Sequence, residues 1–264
     1  GLAVWISFHD YFFTAPGVSV PRPFVGLDNY RAVVADPAVR QALGNTVVFL
    51  LVHVPPTTVA ALVLATALNA ALPARGFFRT AYYLPYVTAS VAVVGVWLWL
   101  FTGGGLADRV LGSLAPDPPW LVNSTLAMPL VAAYVAWKQL GFFVVVYLAA
   151  LQGVPKELYE SAALDGAGRL RAWWSVTVPS VRPATALVVT LSTIVGANLF
   201  TEPYLLTAGG GPNGASASPV LVIYQRGIQQ GEPDFAAALG VLLVLGVLLL
   251  AMAYRWIFER GADR

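Results

Sequence analysis

The chain has 264 residues, of which 58% are hydrophobic and only 11% charged, whereas a soluble globular chain carries roughly 25% charged residues. So few charges cannot cover the surface of a soluble domain this long, and the chain is expected to sit in a lipid bilayer. The net charge of +2, from 15 basic and 13 acidic residues, is too weak and dispersed for nucleic acid, and the absence of cysteine removes disulfides, thiolate metal sites and cysteine nucleophiles.

Residues 1–13, GLAVWISFHDYFF, read as the outer end of a first membrane helix. A signal peptide would need a basic segment before it, and none precedes. Five longer apolar stretches follow at about 45–69, 81–101, 126–151, 184–206 and 235–258, each near the roughly 20 residues a helical span requires. The expected fold is all-α: a polytopic membrane protein of six transmembrane helices, the first one truncated at its N-terminus. Pro55 and Pro56 interrupt the second stretch and Pro85 the third, so kinked, packed helices are expected there. The two halves lack the whole-repeat similarity of an inverted-repeat secondary transporter.

Basic residues set the orientation. Arg75, Arg79, Lys156, Arg169, Arg171, Arg182, Arg255, Arg260 and Arg264 fall in connections on one side. Arg22, Arg31, Arg40, Arg109 and Arg226 are spread over longer loops on the other. Nine against five makes the first side, with the C-terminus, cytoplasmic.

The cytoplasmic segment 154–183, VPKELYESAALDGAGRLRAWWSVTVPSVRP, is more than a connector. Pro155 suits the start of a helix, with Glu157 and Glu160 near its positive end. Leu158 and Ala162, like Tyr159 and Ala163, are four residues apart on a small-residue face. Gly166 and Gly168 end this helix, and a second carries Leu170, Trp173 and Trp174 towards Pro179. On residues alone, the segment equally suits an interfacial helix anchored in lipid headgroups by Trp173 and Trp174.

Glu160-Ser161-Ala162, three residues, Gly166, nine residues and Val176-Thr177-Val178-Pro179 resemble the EAA loop of ATP-binding-cassette importer permeases. Ser161 stands for that pattern's first alanine, and Val176 and Val178 for its isoleucine and leucine. Other segments resemble the carbohydrate-uptake permeases of this family, of the maltose and glycerol-3-phosphate type. They are residues 24–30 (FVGLDNY), Asn45-Thr46, residues 137–142 (WKQLGF) and residues 207–212 (TAGGGP). The resemblance implies one transmembrane domain over residues 1–264, of type I importer fold, in the bacterial plasma (inner) membrane. Its EAA loop would seat a coupling helix in a groove of a separate ATPase. Glu160, Ser161, Ala162, Asp165, Gly166, Ala167 and Pro179 would carry that contact, with a local turn-former as the lesser alternative for Asp165.

The resemblance further implies two copies of a cassette ATPase, a second and non-identical EAA-type permease, and an extracytoplasmic solute-binding protein facing the 209–212 loop. The glycine cluster 209–214 is followed by Ala215 rather than lysine, so this chain has no phosphate-cradling P-loop. No cofactor is expected in it: ATP and magnesium would be bound by the partner ATPases, and the chain itself is not an enzyme.

Polar residues inside spans mark candidate pathways. Tyr134, Lys138 and Phe142 share a helix face at steps of four, with Gly141 beside them. Tyr134, Trp137, Lys138, Gln139, Asn198 and Glu202 offer the aromatic faces, amides and charges that recognise a sugar, whether a di- or oligosaccharide or a related polyol or glycerophosphodiester. Lys138 and Asn198 equally suit helix-to-helix contacts, and Glu202 the water boundary. His53, two residues before Pro55, reads as a packing residue. An ion-coupled secondary transporter is the rival function, but it would usually need buried carboxylates. Only Glu202, near an end, lies within a full span. No catalytic set and no metal site is found, since His9 and His53 are the only histidines.

Overall fold

The structure, a computed structural model, describes residues 1–15, 20–69 and 75–259, without the side chains of residues 75, 78, 79, 255 and 257–259. The side chains of Arg75, Arg79 and Arg255, together with Arg260, Arg264 and the C-terminus used for orientation, therefore lie outside the described residues. The helices run in chain order α1 (Leu2–Ser7), α2 (Asp28–Ala35), α3 (Pro37–Asn69), α4 (Arg75–Val87), α5 (Ser90–Phe101), α6 (Leu106–Leu111), α7 (Ala127–Gln152), α8 (Lys156–Leu164), α9 (Arg169–Ala172), α10 (Val178–Ser180), α11 (Arg182–Ala197), α12 (Thr201–Leu206), α13 (Pro219–Tyr224) and α14 (Pro233–Glu259). π-Helical turns occupy Trp173–Thr177 and Gln225–Gln229. Strand structure among the described residues is limited to one antiparallel bridge, His9 with Phe24.

Among the described residues, four helical stretches are long and apolar enough to cross a membrane: Pro37–Asn69, Ser90–Leu114, Ala127–Gln152 and Pro233–Tyr254. A fifth is reached if Arg169–Ser180 and Arg182–Ala197, bent by 69°, count as one. The N-terminal stretch is helical only over the six residues of α1, about 9 Å of helix. Two expected spans are divided. The third breaks between α4 and α5 at Thr88 and Ala89, three residues after Pro85, which lies within α4. The fifth breaks between α11 and α12. Conversely, Pro55 and Pro56 do not interrupt α3. Each proline removes one helical hydrogen bond, and the uninterrupted bonding on either side carries the 33-residue helix through.

Cα packing divides the chain into two compact units. The first comprises Gly1–Val52, Ser90–Ala133 and Ile194–Leu250. Here the FVGLDNY segment clamps the end of α1. Val25 N–H donates to Phe8 O (2.9 Å), Asn29 Nδ2 to Ser7 O and His9 O (both 3.1 Å), and the Tyr30 and Ser7 hydroxyls bond at 2.7 Å. Asp36 then ends α2 and opens α3, its Oδ1 accepting from Ala38 N–H (2.7 Å), as an N-capping carboxylate does. Its Oδ2 pairs with Arg226, which also reaches Glu232 (3.1 Å) and lies over the Phe235 ring. Beneath this cluster pack Val33, Val39, Ala42, Val222, Phe235, Ala238 and Leu239.

The second unit comprises His53–Ala89, Tyr134–Thr193 and Ala251–Arg264. Ala61, Leu62, Ala65 and Leu68 of α3, Phe143, Val144, Tyr147 and Leu151 of α7, and Val181 and Val188 form its core. Tyr147 donates its hydroxyl to Thr185 Oγ1 (3.1 Å) across α7 and α11. Helices α4 and α7 approach closely at Gly141. A methyl group there would lie 1.9 Å from Tyr82 O and 2.8 Å from Tyr83 Cα, so the glycine of WKQLGF is a packing requirement. Replacing Gly141 by alanine must push backbone apart, and should destabilise the chain by about 3 kcal/mol or more. The check is the thermal unfolding midpoint of the detergent-purified protein, which should fall; an unchanged midpoint would show that α4 and α7 separate without cost.

Candidate functional site

The 154–183 segment folds as a helix, a turn and a second helix. Helix α8 follows directly on Pro155, with Glu157 in its first turn. Its C-terminus closes in a Schellman motif. Ala167 N–H donates to Ala162 O (2.9 Å) and Gly166 N–H to Ala163 O (3.0 Å). Gly166 stands at φ +75° with open space where a Cβ would be, so the turn's requirement for glycine is conformational. Gly168 caps α9, which runs through the π-helical turn Trp173–Thr177 into α10, with Pro179 at its start.

Glu160, Ser161, Asp165 and Gly166 are exposed, and Ala162, Ala167 and Pro179 half-buried. Charges, small side chains and the turn backbone are thus presented together. Leu158, Leu164, Leu170 and Trp174 are exposed beside them, Leu164 to 90%. Trp173 is held differently: its Nε1–H donates to Thr66 Oγ1 on α3 (3.1 Å), and its ring packs on the second unit's core. Of the two tryptophans, only Trp174 is exposed in the way a headgroup anchor requires. Tyr159 also turns inward, its hydroxyl bonding Thr177 Oγ1 at 3.0 Å. The sequence signal for that contact was the threonine inside Val176-Thr177-Val178-Pro179, read only as part of a pattern.

The α7 residues of the expected pathway belong to the second unit. Tyr134 is wholly buried and presents no surface to a solute in this conformation. Trp137 is 43% exposed, while Lys138, Gln139 and Phe142 are half-buried. The face of Tyr134, Lys138 and Phe142 therefore does turn into protein, and Phe142 stacks on Tyr86 of α4 (4.9 Å). Gln139 Oε1 is buried and has no hydrogen-bond partner among the described residues. His53 is fully buried, its Nδ1 3.4 Å from Thr57 Oγ1, in the setting of a packing residue.

Asn198 and Glu202 belong to the first unit, at the break between α11 and α12. Asn198 is exposed and its Nδ2 donates to Ile194 O of its own helix (2.8 Å), so this bond does not join two helices. Glu202 lies in the first turn of α12, half-buried.

The glycine loop after α12 is braced on all sides. Gly209, Gly210, Gly211 and Gly214 all have positive φ, as do Ala208 and Asn213, which is why glycine crowds this stretch. Buried Thr207 donates to Pro203 O (2.7 Å) and bonds Ser216 Oγ (2.6 Å). Asn45 Nδ2 donates to Gly214 O (2.8 Å) and Ala217 O (2.9 Å), and Gln41 Nε2 to Asn213 O (2.7 Å). Two segments that stood apart in the sequence, Asn45-Thr46 and the 207–212 loop, form one structure.

Residues 57–264 match the family model described as "Binding-protein-dependent transport system inner membrane component". The chain is 32% identical over 245 residues to the arabinooligosaccharides transport system permease protein AraP of Halalkalibacterium halodurans, covering 90% of this chain and 77% of AraP. It is 32% identical over 242 residues to the sn-glycerol-3-phosphate transport system permease protein UgpA of Agrobacterium fabrum, covering 90% of this chain and 82% of UgpA. Among solved structures, it resembles a chain of a bacterial ABC transporter involved in the import of the acidic polysaccharide alginate, with a TM-score of 0.79 at 23% identity, covering 90% and 85% of the two chains.

The bracing of the glycine loop yields a direct expectation. An Asn45→Ala chain leaves two loop carbonyls without their donor, at a cost of about 1–3 kcal/mol. Trypsin is blind to this loop, so the check is a single cysteine at Ser216, which is fully buried. Its reaction with a water-soluble maleimide should accelerate at least severalfold in the Asn45→Ala background, and an equal rate would mean that the loop is held without Asn45.

Proposed function

Because the chain belongs to the family of binding-protein-dependent transport system inner membrane components, we propose that it forms one half of the solute pathway of an ATP-driven sugar importer. The solute is a di- or oligosaccharide, or a related polyol or glycerophosphodiester. The observation that carries this reading is the exposed α8 turn, closed at Gly166 and edged by Glu160, Ser161 and Asp165. It offers a partner chain small side chains and bare backbone at the pattern resembling an EAA loop.

Two copies of a cassette ATPase, binding ATP and magnesium, dock on this turn and on its counterpart in a second, non-identical permease. Ser161, Ala162 and Ala167 let the ATPase backbone approach, Glu160 and Asp165 anchor it by polar contacts, and Pro179 holds the second half of the segment. The segment and the C-terminus face the cytoplasm, and six helices span the bilayer. A solute-binding protein delivers cargo on the other side, at the glycine loop. The name of one relative, a diacetylchitobiose uptake system permease protein of Streptomyces coelicolor 31% identical over 250 residues, supports a saccharide, as does AraP. One structural neighbour is titled as in complex with an alginate pentasaccharide-bound periplasmic protein, which supports the binding-protein partner. Membership of this family disfavours an ion-coupled secondary transporter.

Within the pathway, Gln139 is the first choice for a solute contact. Its buried Oε1 lacks a donor, and a sugar hydroxyl supplies one. Trp137 offers an exposed ring for sugar C–H faces, with Lys138 alongside. Asn198 and Glu202, beside the break between α11 and α12, are separate candidates for a solute contact, and Tyr134 acts only by supporting its neighbours.

The test is uptake by the complete importer in proteoliposomes, with labelled arabinotriose, diacetylchitobiose and glycerol 3-phosphate offered in turn. Uptake of either saccharide is expected; uptake of glycerol 3-phosphate alone would remove the saccharide assignment. Gln139→Ala with Asn198→Ala should lower saccharide uptake about tenfold or more, at about 1 kcal/mol for each lost bond, while the ATPase still copurifies. Full uptake by the pair would exclude this face.

Gly166 separates coupling from folding. Leucine at its φ of +75° is disfavoured by about 1–2 kcal/mol, whereas asparagine tolerates that region. Gly166→Leu should hydrolyse ATP without uptake, and Gly166→Asn should retain most of the uptake. Normal transport by the leucine variant would count against α8 as the coupling element.

A further inference from the structure

Of the nine side chains of α8, only Tyr159 and Ala162 are even partly buried. Tyr159 is also the one that bonds inward. Its hydroxyl meets Thr177 Oγ1 at 3.0 Å, and Thr177 is itself 3% exposed. A displacement of α8 must therefore carry Thr177 with it or break this bond.

Thr177 lies at the end of the π-helical turn Trp173–Thr177, and the same turn carries a second link. Trp173 Nε1–H donates to Thr66 Oγ1 on α3 at 3.1 Å, while the Thr66 hydroxyl donates to Leu62 O at 2.8 Å. An indole N–H can only donate, and the Thr66 hydrogen is already directed to Leu62, so the geometry of this link is fixed. Beyond the turn, α10 meets α11 at the 69° bend. One five-residue turn is thus hydrogen-bonded to the exposed helix on one side and to the long apolar α3 on the other, and runs on through α10 into α11. π-Helical turns recur at functional sites because the widened backbone is locally adjustable.

We propose that Tyr159 and Trp173 are positioning residues for transport. Through Thr177 and Thr66, they transmit movement of α8 into α3 and α11. This proposal rests on the reading of α8 as the ATPase-docking element. It adds that two side-chain hydrogen bonds, rather than chain connectivity alone, carry the motion. A contiguous chain of contacts is a physical route, and its energetic role is measured by coupling between variants.

The experiment uses the complete importer, with Mg-ATP as the probe. The chain has no cysteine, so an introduced thiol is its single labelling site, read from this chain after the subunits are separated by denaturing electrophoresis. Leu187→Cys, at a position on α11 that is 48% exposed, reports the change in maleimide labelling rate on adding Mg-ATP. Ser161→Cys carrying a photocrosslinker reports docking of α8. Tyr159→Phe keeps its ring and removes only the hydroxyl, whereas Trp173→Phe removes the indole N–H together with the five-membered ring that packs on the core, so Thr66→Val, which leaves Trp173 intact, is the variant that removes the acceptor alone.

With crosslinking to the ATPase intact, each variant should lower the ATP-driven change at residue 187, relative to ATP hydrolysed, by about fivefold, the lower end of ordinary coupling between sites. Thr177→Ser, which keeps the hydroxyl, should behave as wild type, and Thr177→Val like Tyr159→Phe. Thr66→Val should add little to Trp173→Phe. If crosslinking persists and both phenylalanine variants keep the full change, or lose movement and hydrolysis in the same proportion, the proposal is overturned while α8 remains the docking element. If Ser161→Cys never crosslinks the ATPase, the docking assignment falls and the proposal with it.

Discussion

A peptide group that leaves a helix inside an apolar layer finds no water to bond, so every break must be satisfied by protein. The first unit meets this demand between α11 and α13 with a dense exchange of bonds. Ile194 O accepts from both the backbone and the side chain of Asn198, and Leu199 O accepts from the Ser218 hydroxyl. Ser218 in turn accepts from Leu221 N–H, opening α13. Pro203 O and Tyr204 O accept from Gly210 and Gly209 N–H. The break can therefore stand beside apolar helices, and it places Asn198 on irregular backbone and Glu202 in the helical turn that follows, where polar side chains accompany polar main chain.

The segment 154–183 obeys a different economy. A nine-residue helix is marginal alone in water, and α8 buries little of its surface. Its order comes from its ends and one anchor: Pro155 at the start, the Schellman closure at Gly166, and Tyr159 beneath. Such an element holds its shape yet leaves most of its side chains free for a partner. The exposed Leu158, Leu164 and Leu170 are apolar surface of the kind that marks an interaction site.

Much of this was legible in the sequence, and what was not has physical reasons. Helix, turn and second helix in 154–183 followed from Pro155, Gly166 and Gly168, because those residues dictate local backbone geometry. The long apolar helices α3, α7 and α14 followed from hydropathy. The positions of the breaks did not. Pro55 and Pro56 suggested an interruption that α3 does not show, whereas Thr88 and Asn198 stand at breaks where each side chain bonds back to a carbonyl of the preceding helix, Leu84 O and Ile194 O. The inward face of Tyr134, Lys138 and Phe142 was readable from its spacing. That Tyr134 is fully enclosed was not, since enclosure depends on neighbours far along the chain. The Asn45 bonds to residues some 170 positions away, like the ion pair of Asp36 with Arg226, join segments whose separate motifs carried no sign of their pairing.

The bracing of the glycine loop bears on the speed and fidelity of recognition. Left-handed residues cluster there, yet Asn45, Gln41, Gln225 and Ser216 fix the backbone through its own carbonyls and amides. A glycine-rich segment left to itself would forfeit much conformational freedom whenever another surface engaged it. This one has surrendered that freedom during folding, so a docking protein meets a contour already determined. Rigid-body encounter then replaces mutual folding, and less of the contact energy is consumed in ordering the loop. Even a weak and brief association with such a preformed surface can therefore be discriminating.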